Sequence, residues 1–186
     1  MGYSVQQKAE SVGTFRWVEL RLMRILAQWI PTTPEMEVKV LFGRHVWDCA
    51  RHADQLGKRA FELRAPLNYT LPATAAYQRF LDDICALSSA TDRVAGFYEA
   101  ARPGLIGRYL GYCGITDALM DEPTVRIIEG AIRDFERMDG ERGRLLKDAP
   151  LAPSTIRASE WLARERVIDA MVEHGGESGR ARGVRP

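Results

Sequence analysis

Hydrophobic positions recur at helical spacing along most of the chain. The clearest case covers residues 15–30, where apolar side chains three and four positions apart form one stripe and arginines occupy the far side. No segment shows the strict alternation of a half-buried strand, and no internal repeat or glycine-rich phosphate loop stands out. The pattern therefore predicts an all-α protein. The stripe consists of Phe15, Val18, Leu22, Ile25, Leu26 and Trp29.

Prolines and capping residues divide this pattern into separate helices. Pro34 and Pro123 fit first helical turns, and Pro103 is expected to kink the helix that contains it. The expected helices cover residues 15–30, 35–64, 73–87, 92–112, 122–146 and 154–173. The expected organisation is a flexible N-terminal arm over 1–13, one helical-bundle domain over 14–174 and a disordered Gly/Arg-rich tail over 175–186.

One carboxylate interrupts the apolar stripe of the first helix. Glu19 falls on the same side as Phe15, Leu22 and Leu26, which is the side expected to be buried. Burying a carboxylate costs on the order of several kcal/mol unless it is paired, protonated or bound to a metal ion. A structural salt bridge would satisfy Glu19, and so would a functional site, so both interpretations stay open.

The second helix places two histidines on its apolar face. His45 and His52 lie two turns apart, with Cys49 between them and Asp48 at the edge of the same face. Each imidazole either donates a hydrogen bond and packs or belongs to a site. Asp48 is a candidate to orient an imidazole. Cys49 is either a nucleophile beside His52 or a small buried thiol.

The later helices add further candidates. Glu99 lies near the edge of the apolar face of residues 92–112, and Arg102 one turn on could pair with it. Asp139 falls on the core side of residues 122–146. The residues expected to line a substrate cavity are His45, Asp48, Cys49, Tyr98, Arg102, Phe135, Met138 and Asp139.

The layout of long helices around an inward glutamate resembles the ferritin-like superfamily, over roughly residues 15–146. This resemblance implies an antiparallel four-helix bundle with additional short helices. In its di-iron members, two helices each supply a Glu and two others each supply a Glu-x-x-His pair. By resemblance, Glu19 matches the first Glu, His52 the histidine of the second helix and Glu99 the Glu of the third.

The ligand pattern of that family is incomplete in this chain. Cys49 stands three residues before His52, where a Glu is expected, and the apolar Phe135 and Met138 have the spacing of the last pair. The resemblance therefore implies that Glu19, His52 and Glu99 either catalyse acid/base chemistry or hold a single metal ion, with iron a candidate. It argues against a full di-iron centre.

Composition and net charge limit the kinds of partner and compartment that the sequence predicts. A net charge of +1 gives no field to attract nucleic acid or an anionic membrane, and no stretch approaches the roughly 18–20 apolar residues of a membrane span. The N-terminus lacks the apolar core of a signal peptide, which predicts a cytoplasmic protein. Three scattered cysteines argue against a disulfide framework and a thiolate zinc cluster.

Three functions remain open at this point. The favoured one is a biosynthetic enzyme that modifies a small organic molecule with buried carboxylates and a histidine, around a degenerate metal site. The second is a non-haem di-iron oxidase or oxygenase with unusual ligands. The third is a non-catalytic binding or structural protein. All three functions are compatible with a homo-oligomer. The expected partner is a small-molecule ligand or substrate, and neither nucleic acid nor a membrane is expected.

Overall fold

The structure, a computed structural model, describes residues 2–174, and within that range it is helical and contains no strand. The all-α prediction is therefore confirmed, while the Gly/Arg-rich tail lies outside the described residues. No helix in this range is long and apolar enough to cross a membrane. The elements are α1 (Val5–Trp29), a 3₁₀ turn (Ile30–Thr32), α2 (Met36–Glu62), α3 (Ala75–Cys85), α4 (Ala90–Ala95), a π-helical segment (Gly96–Ala101), α5 (Arg102–Ile115), α6 (Glu122–Asp148) and α7 (Ala158–Arg166).

The first helix begins ten residues earlier than its apolar stripe indicates. Ser4 caps it: the Ser4 hydroxyl accepts from the Gln7 amide at 3.2 Å, and the Gln7 side chain accepts from the Ser4 amide at 3.0 Å. Gly13 then lies under the ring of Tyr69, where a Cβ atom would come within 2.6 Å of a ring carbon. Residues 5–13, which are expected to belong to a flexible arm, instead form the start of α1, because a capping box and a covering loop order this polar segment.

Three long helices pack side by side in alternating directions. Contacts between Trp29 and Phe42 and between Glu19 and His52 show that α1 and α2 are antiparallel. The pair His52 and Asp134 joins α2 to α6 near its middle, and Arg59 reaches Asp121 at the start of α6. Together with α5, these helices surround an apolar core. The finer prediction of a ferritin-like topology stays a prediction.

A π-helical segment interrupts the predicted helix over residues 92–112. The amide of Arg102 donates to the carbonyl of Phe97, five residues back, and Pro103 follows in the first turn of α5. The wider turn suits the sequence because Pro103 has no amide hydrogen to donate. A π turn also shifts which residues face inward, so Glu99 is exposed and Arg102 is buried.

The C-terminal part of the described chain closes over α4 and α5. Asp92 accepts hydrogen bonds from Ser154 and from the amide of Thr155, each at 2.7 Å. Arg108 binds the buried Glu165 of α7 at 2.9 Å. The predicted last helix over 154–173 is therefore shorter, because its first residues fold around Asp92 instead.

Candidate functional site

Glu19 is the centre of a polar cluster inside the helices. Its side chain is 0% exposed, and the hydroxyl of Tyr109 on α5 donates to Oε1 at 2.8 Å. His52 Nδ1 lies 3.3 Å from the same oxygen, as an ion-pair contact whose orientation falls short of a good hydrogen bond. The second oxygen, Oε2, has no hydrogen-bond partner within residues 2–174. Glu19 is thus held firmly on Oε1, while Oε2 has at most the weak donor of the Cys49 thiol beside it.

His52 lies between two carboxylates. Its Nε2 is 3.1 Å from Asp134 Oδ2, and Arg51 donates to the same Asp134 oxygen at 2.5 Å. Burial alone would lower the pKa of His52, but Glu19 and then Asp134 outweigh it, so the pKa is raised. Burial would raise the pKa of Asp134, but His52 and Arg51 lower it below its ordinary value. The imidazole is therefore stabilised as a cation.

Asp134 is the functional candidate that the hydrophobic pattern does not indicate. It precedes Phe135 on α6 and its side chain is 21% exposed, so it lies at the edge of the apolar face rather than on it. The acidic residue completes the arrangement carboxylate, imidazole, carboxylate on α1, α2 and α6. Only its position next to an expected core residue, opposite His52, could have singled it out.

The ring of Phe135 links this cluster to a buried arginine. It packs edge-on against His52 at 5.4 Å between centroids and parallel to Tyr109 at 6.4 Å. The guanidinium carbon of Arg102 lies 4.4 Å from the same ring centroid, with Tyr98 at 5.4 Å. Phe135 was expected in the cavity and contacts the site directly.

Arg102 itself is 2% exposed, and its Nε and Nη1 have no hydrogen-bond partner among the described residues. Burial lowers its pKa from the ordinary value.

Cys49 is buried in the same region. Burial, and secondarily Glu19, raises the pKa of its thiol well above the ordinary value. A thiol held protonated is a poor nucleophile, which favours the interpretation of Cys49 as a small buried side chain. Met138 is fully buried in the same core.

His45 belongs to a separate cluster, two turns away on α2. It contacts the hydroxyl of Tyr98 through Nδ1, and its Nε2 lies 3.3 Å from Glu141 Oε2. Burial, partly offset by Glu141, lowers the pKa of His45 to about 4, so this imidazole is neutral at pH 7. Glu141 also borders a groove of about 500 Å³ between α2 and α6, whose lining includes Val40, Leu41, Arg44, Arg144 and Leu145.

Three predicted positions differ from the structure. Glu99 has a side chain that is 44% exposed and pairs with Arg142, because the π segment turns it away from the core. Asp139 is 51% exposed and lies 3.3 Å from Arg142, so it does not line the interior. Asp48 contacts Arg137 at 2.8 Å and Arg51 at 3.4 Å instead of orienting a histidine.

The predicted metal ligands are not brought together. Glu19 and His52 converge, but Glu99 faces outward, and the apolar ring of Phe135 packs against His52. Within residues 2–174, no group of three or more His, Cys, Asp or Glu side chains is arranged to hold a metal ion. Of the three expected ligands, only Glu19 and His52 therefore lie beside one another.

Comparisons with known proteins add no relative. No family model, no curated protein and no solved structure matches this chain. The ferritin-like resemblance therefore stays a prediction, and any function has to be argued from the residues and their geometry.

Proposed function

We propose that this protein is an enzyme that moves a proton on a small organic molecule, with Glu19 as the base and with His52 and Asp134 fixing its electrostatic environment. The observation that supports this proposal is the free Oε2 of a wholly buried carboxylate beside a stabilised imidazolium. A helical bundle of ferritin-like topology would provide the scaffold.

The hydrogen bonding of Glu19 suits a base better than a structural salt bridge. Buried ion pairs are stable when their remaining lone pairs are satisfied, and a half-satisfied pair is costly. Tyr109 and His52 both engage Oε1, which leaves Oε2 with its lone pairs unused in a water-poor interior. An oxygen in that state can accept a proton from a bound molecule.

The proposed step balances without a redox partner. Glu19 Oε2 takes a proton from an acidic C–H, O–H or N–H bond of the substrate, and the bonding electron pair stays on the substrate. The imidazolium of His52, 3.3 Å from Oε1, stabilises the carboxylate before transfer. The proton then returns to the substrate at the same or a different atom, which regenerates the carboxylate.

Exchange of substrate hydrogen with solvent tests this proposal. The protein is incubated in D₂O with small organic acids, ketones and amides that carry an acidic C–H, and deuterium incorporation is followed by proton NMR. We expect Glu19→Gln to fold and to lose exchange by at least about 100-fold, the scale of general base catalysis. Glu99→Gln is the matched control, because that carboxylate is exposed, and it should exchange at the wild-type rate.

A non-catalytic role has one observation in its favour. Glu19 and His52 are both 0% exposed, as expected of a polar network that only specifies packing. In that case Glu19→Gln would change the melting temperature, and the wild type would show no exchange above the protein-free rate with any compound. That outcome would contradict the proposed enzyme.

A further inference from the structure

We infer that the interior site takes a small monocarboxylate, whose anionic group pairs with Arg102 and whose proton-bearing group faces Glu19. This inference rests on the proposed function and names its substrate class. Its starting point is that Arg102 is a buried cation for which residues 2–174 supply no hydrogen-bonded anion.

A second buried arginine within residues 2–174 provides a contrast. Arg93 is 7% exposed and donates to the carbonyl of Leu87 at 2.9 Å and to the hydroxyl of Thr33 at 2.8 Å. Arg102 is more deeply buried, at 2% exposed, yet its Nε and Nη1 have no such partner. The fold therefore satisfies one buried guanidinium with protein groups and leaves the other incomplete.

Arg102 cannot escape the free-energy cost of burial by losing its proton. A guanidinium keeps its proton in proteins, and an isolated buried charge is strongly disfavoured. The faces of Phe135 and Tyr98 stabilise the cation, but they leave its N–H edge unbound. The hydroxyl of Tyr98 and the thiol of Cys49 are neutral there, since burial raises both pKa values well above their ordinary range. A bound anion would complete the pairing.

The free edge of Arg102 and the free oxygen of Glu19 belong to one interior. Phe135 contacts both Arg102 and His52, and His52 adjoins Glu19, so these side chains lie in the same part of the core. A molecule of a few non-hydrogen atoms could accept hydrogen bonds from Arg102 at one end and donate one to Glu19 at the other. A hydroxy acid or another carboxylate with a nearby proton-bearing group has that form.

Charge balance favours a monoanion. Arg102 carries a single positive charge that lacks a hydrogen-bonded partner, whereas His52 already lies between Glu19 and Asp134. A dianion such as phosphate would place an additional negative charge near Glu19, which is unfavourable in a low-dielectric interior. A carboxylate neutralises the guanidinium without that surplus.

Thermal unfolding with defined probes tests the inference. The full chain is melted with increasing acetate, glycolate, phosphate or acetamide, at constant ionic strength made up with chloride. We expect saturable increases in melting temperature with glycolate and acetate, with glycolate acting at the lower concentration because its hydroxyl reaches Glu19. Acetamide and phosphate should act no differently from chloride. An equal response to acetate and acetamide, or a larger response to phosphate, would overturn the assignment.

Variants identify the group responsible. Arg102→Gln should abolish the carboxylate response, while Arg59→Gln, which removes an arginine 2.9 Å from Asp121, should lower the melting temperature and keep the response. Because Arg102 lacks a protein partner, Arg102→Gln should not lower the melting temperature of the ligand-free protein by more than roughly 3 °C. A larger fall, or an unchanged carboxylate response, would overturn the subsite.

The experiments distinguish an error in the substrate class from an error in the proposed proton-transfer function. Glu19→Gln should keep the acetate response and lose deuterium exchange. If acetate does not bind through Arg102 but Glu19→Gln still abolishes exchange, the substrate class is wrong and the proton-transfer function stands. If acetate binds through Arg102 and exchange is absent in the wild type, the anion subsite stands and the enzyme function fails.

Discussion

The buried imidazole of His45 should make this protein less stable in mild acid. Its pKa falls from 6.5 to about 4 on folding, chiefly because burial removes the ring from water. Between these two values the unfolded chain binds a proton that the folded chain does not, so stability rises with pH across the window. Glu141 and the hydroxyl of Tyr98 contact the ring, and Arg102 and Asp48 act on it only electrostatically.

The size of this effect follows from linkage. With those two pKa values, the folded state loses about 2 kcal/mol of stability between pH 7 and pH 5, where ordinary carboxylates remain ionised. Replacing the ring by the neutral amide in His45→Gln removes the titrating group. We therefore expect the variant to lose most of this slope, whatever the substitution does to its absolute stability.

Urea unfolding followed by circular dichroism at several pH values measures the slope. His52→Gln is the matched control, since the pKa of His52 is raised on folding. Its contribution is fully present below 6.5, the unfolded value, and is lost as the pH rises through the raised folded pKa. His52→Gln should thus change how the free energy of unfolding depends on pH at the alkaline end, and it should leave the slope between pH 5 and pH 7 largely intact. Equal acid slopes in wild type and His45→Gln would refute the account of His45.

Two further predictions use matched pairs. Tyr109→Phe removes the donor to a buried carboxylate oxygen and should cost about 1–3 kcal/mol in urea unfolding, whereas Tyr77→Phe removes a buried hydroxyl without a partner in residues 2–174 and should be neutral or stabilising. Gly104→Ala would bring a Cβ atom within 2.5 Å of the Glu165 carboxyl carbon and should lower the melting temperature, while Gly107→Ala meets open space and should raise stability by about 0.5–1 kcal/mol. A reversed order within either pair would contradict the packing described.

Hydrophobic periodicity predicts the elements whose faces are apolar over several turns. The second helix was expected over 35–64 and spans Met36–Glu62, and the helix expected over 122–146 spans Glu122–Asp148. The same reasoning correctly places Glu19 inside, and it brings His52 to the same place. Both results rest on straight helices, in which a residue's angular position follows from its number.

Periodicity fails where that assumption fails. A π turn between α4 and α5 changes the register, so Glu99, which is expected to point inward, is exposed, whereas Arg102 is buried as expected of a cavity residue. Only hydrogen bonds to a carbonyl five residues back reveal such a turn. The buried polar start of α1 was also missed, because its burial comes from distant segments such as the loop that carries Tyr69.

Residues at the edge of an apolar helix face are a third case that the sequence pattern does not predict. The sequence pattern does not single out Asp134, because an aspartate beside a core phenylalanine on an amphipathic helix resembles any solvated residue. Its importance comes from the ring nitrogen of His52 at 3.1 Å, which depends on how α2 and α6 pack. A single sequence does not contain that distance.

The most direct test of the proposed proton transfer compares His52 with His45. In the deuterium-exchange assay, with a compound that the wild type exchanges, His52→Gln removes the cation 3.3 Å from Glu19 that favours its ionised, proton-accepting form, and it should slow exchange by roughly tenfold or more. His45→Gln changes a separate cluster joined to Tyr98 and Glu141, and it should remain within about threefold of the wild type. The reverse order would place the chemistry beside the groove at Glu141 and contradict the assignment of Glu19 and His52.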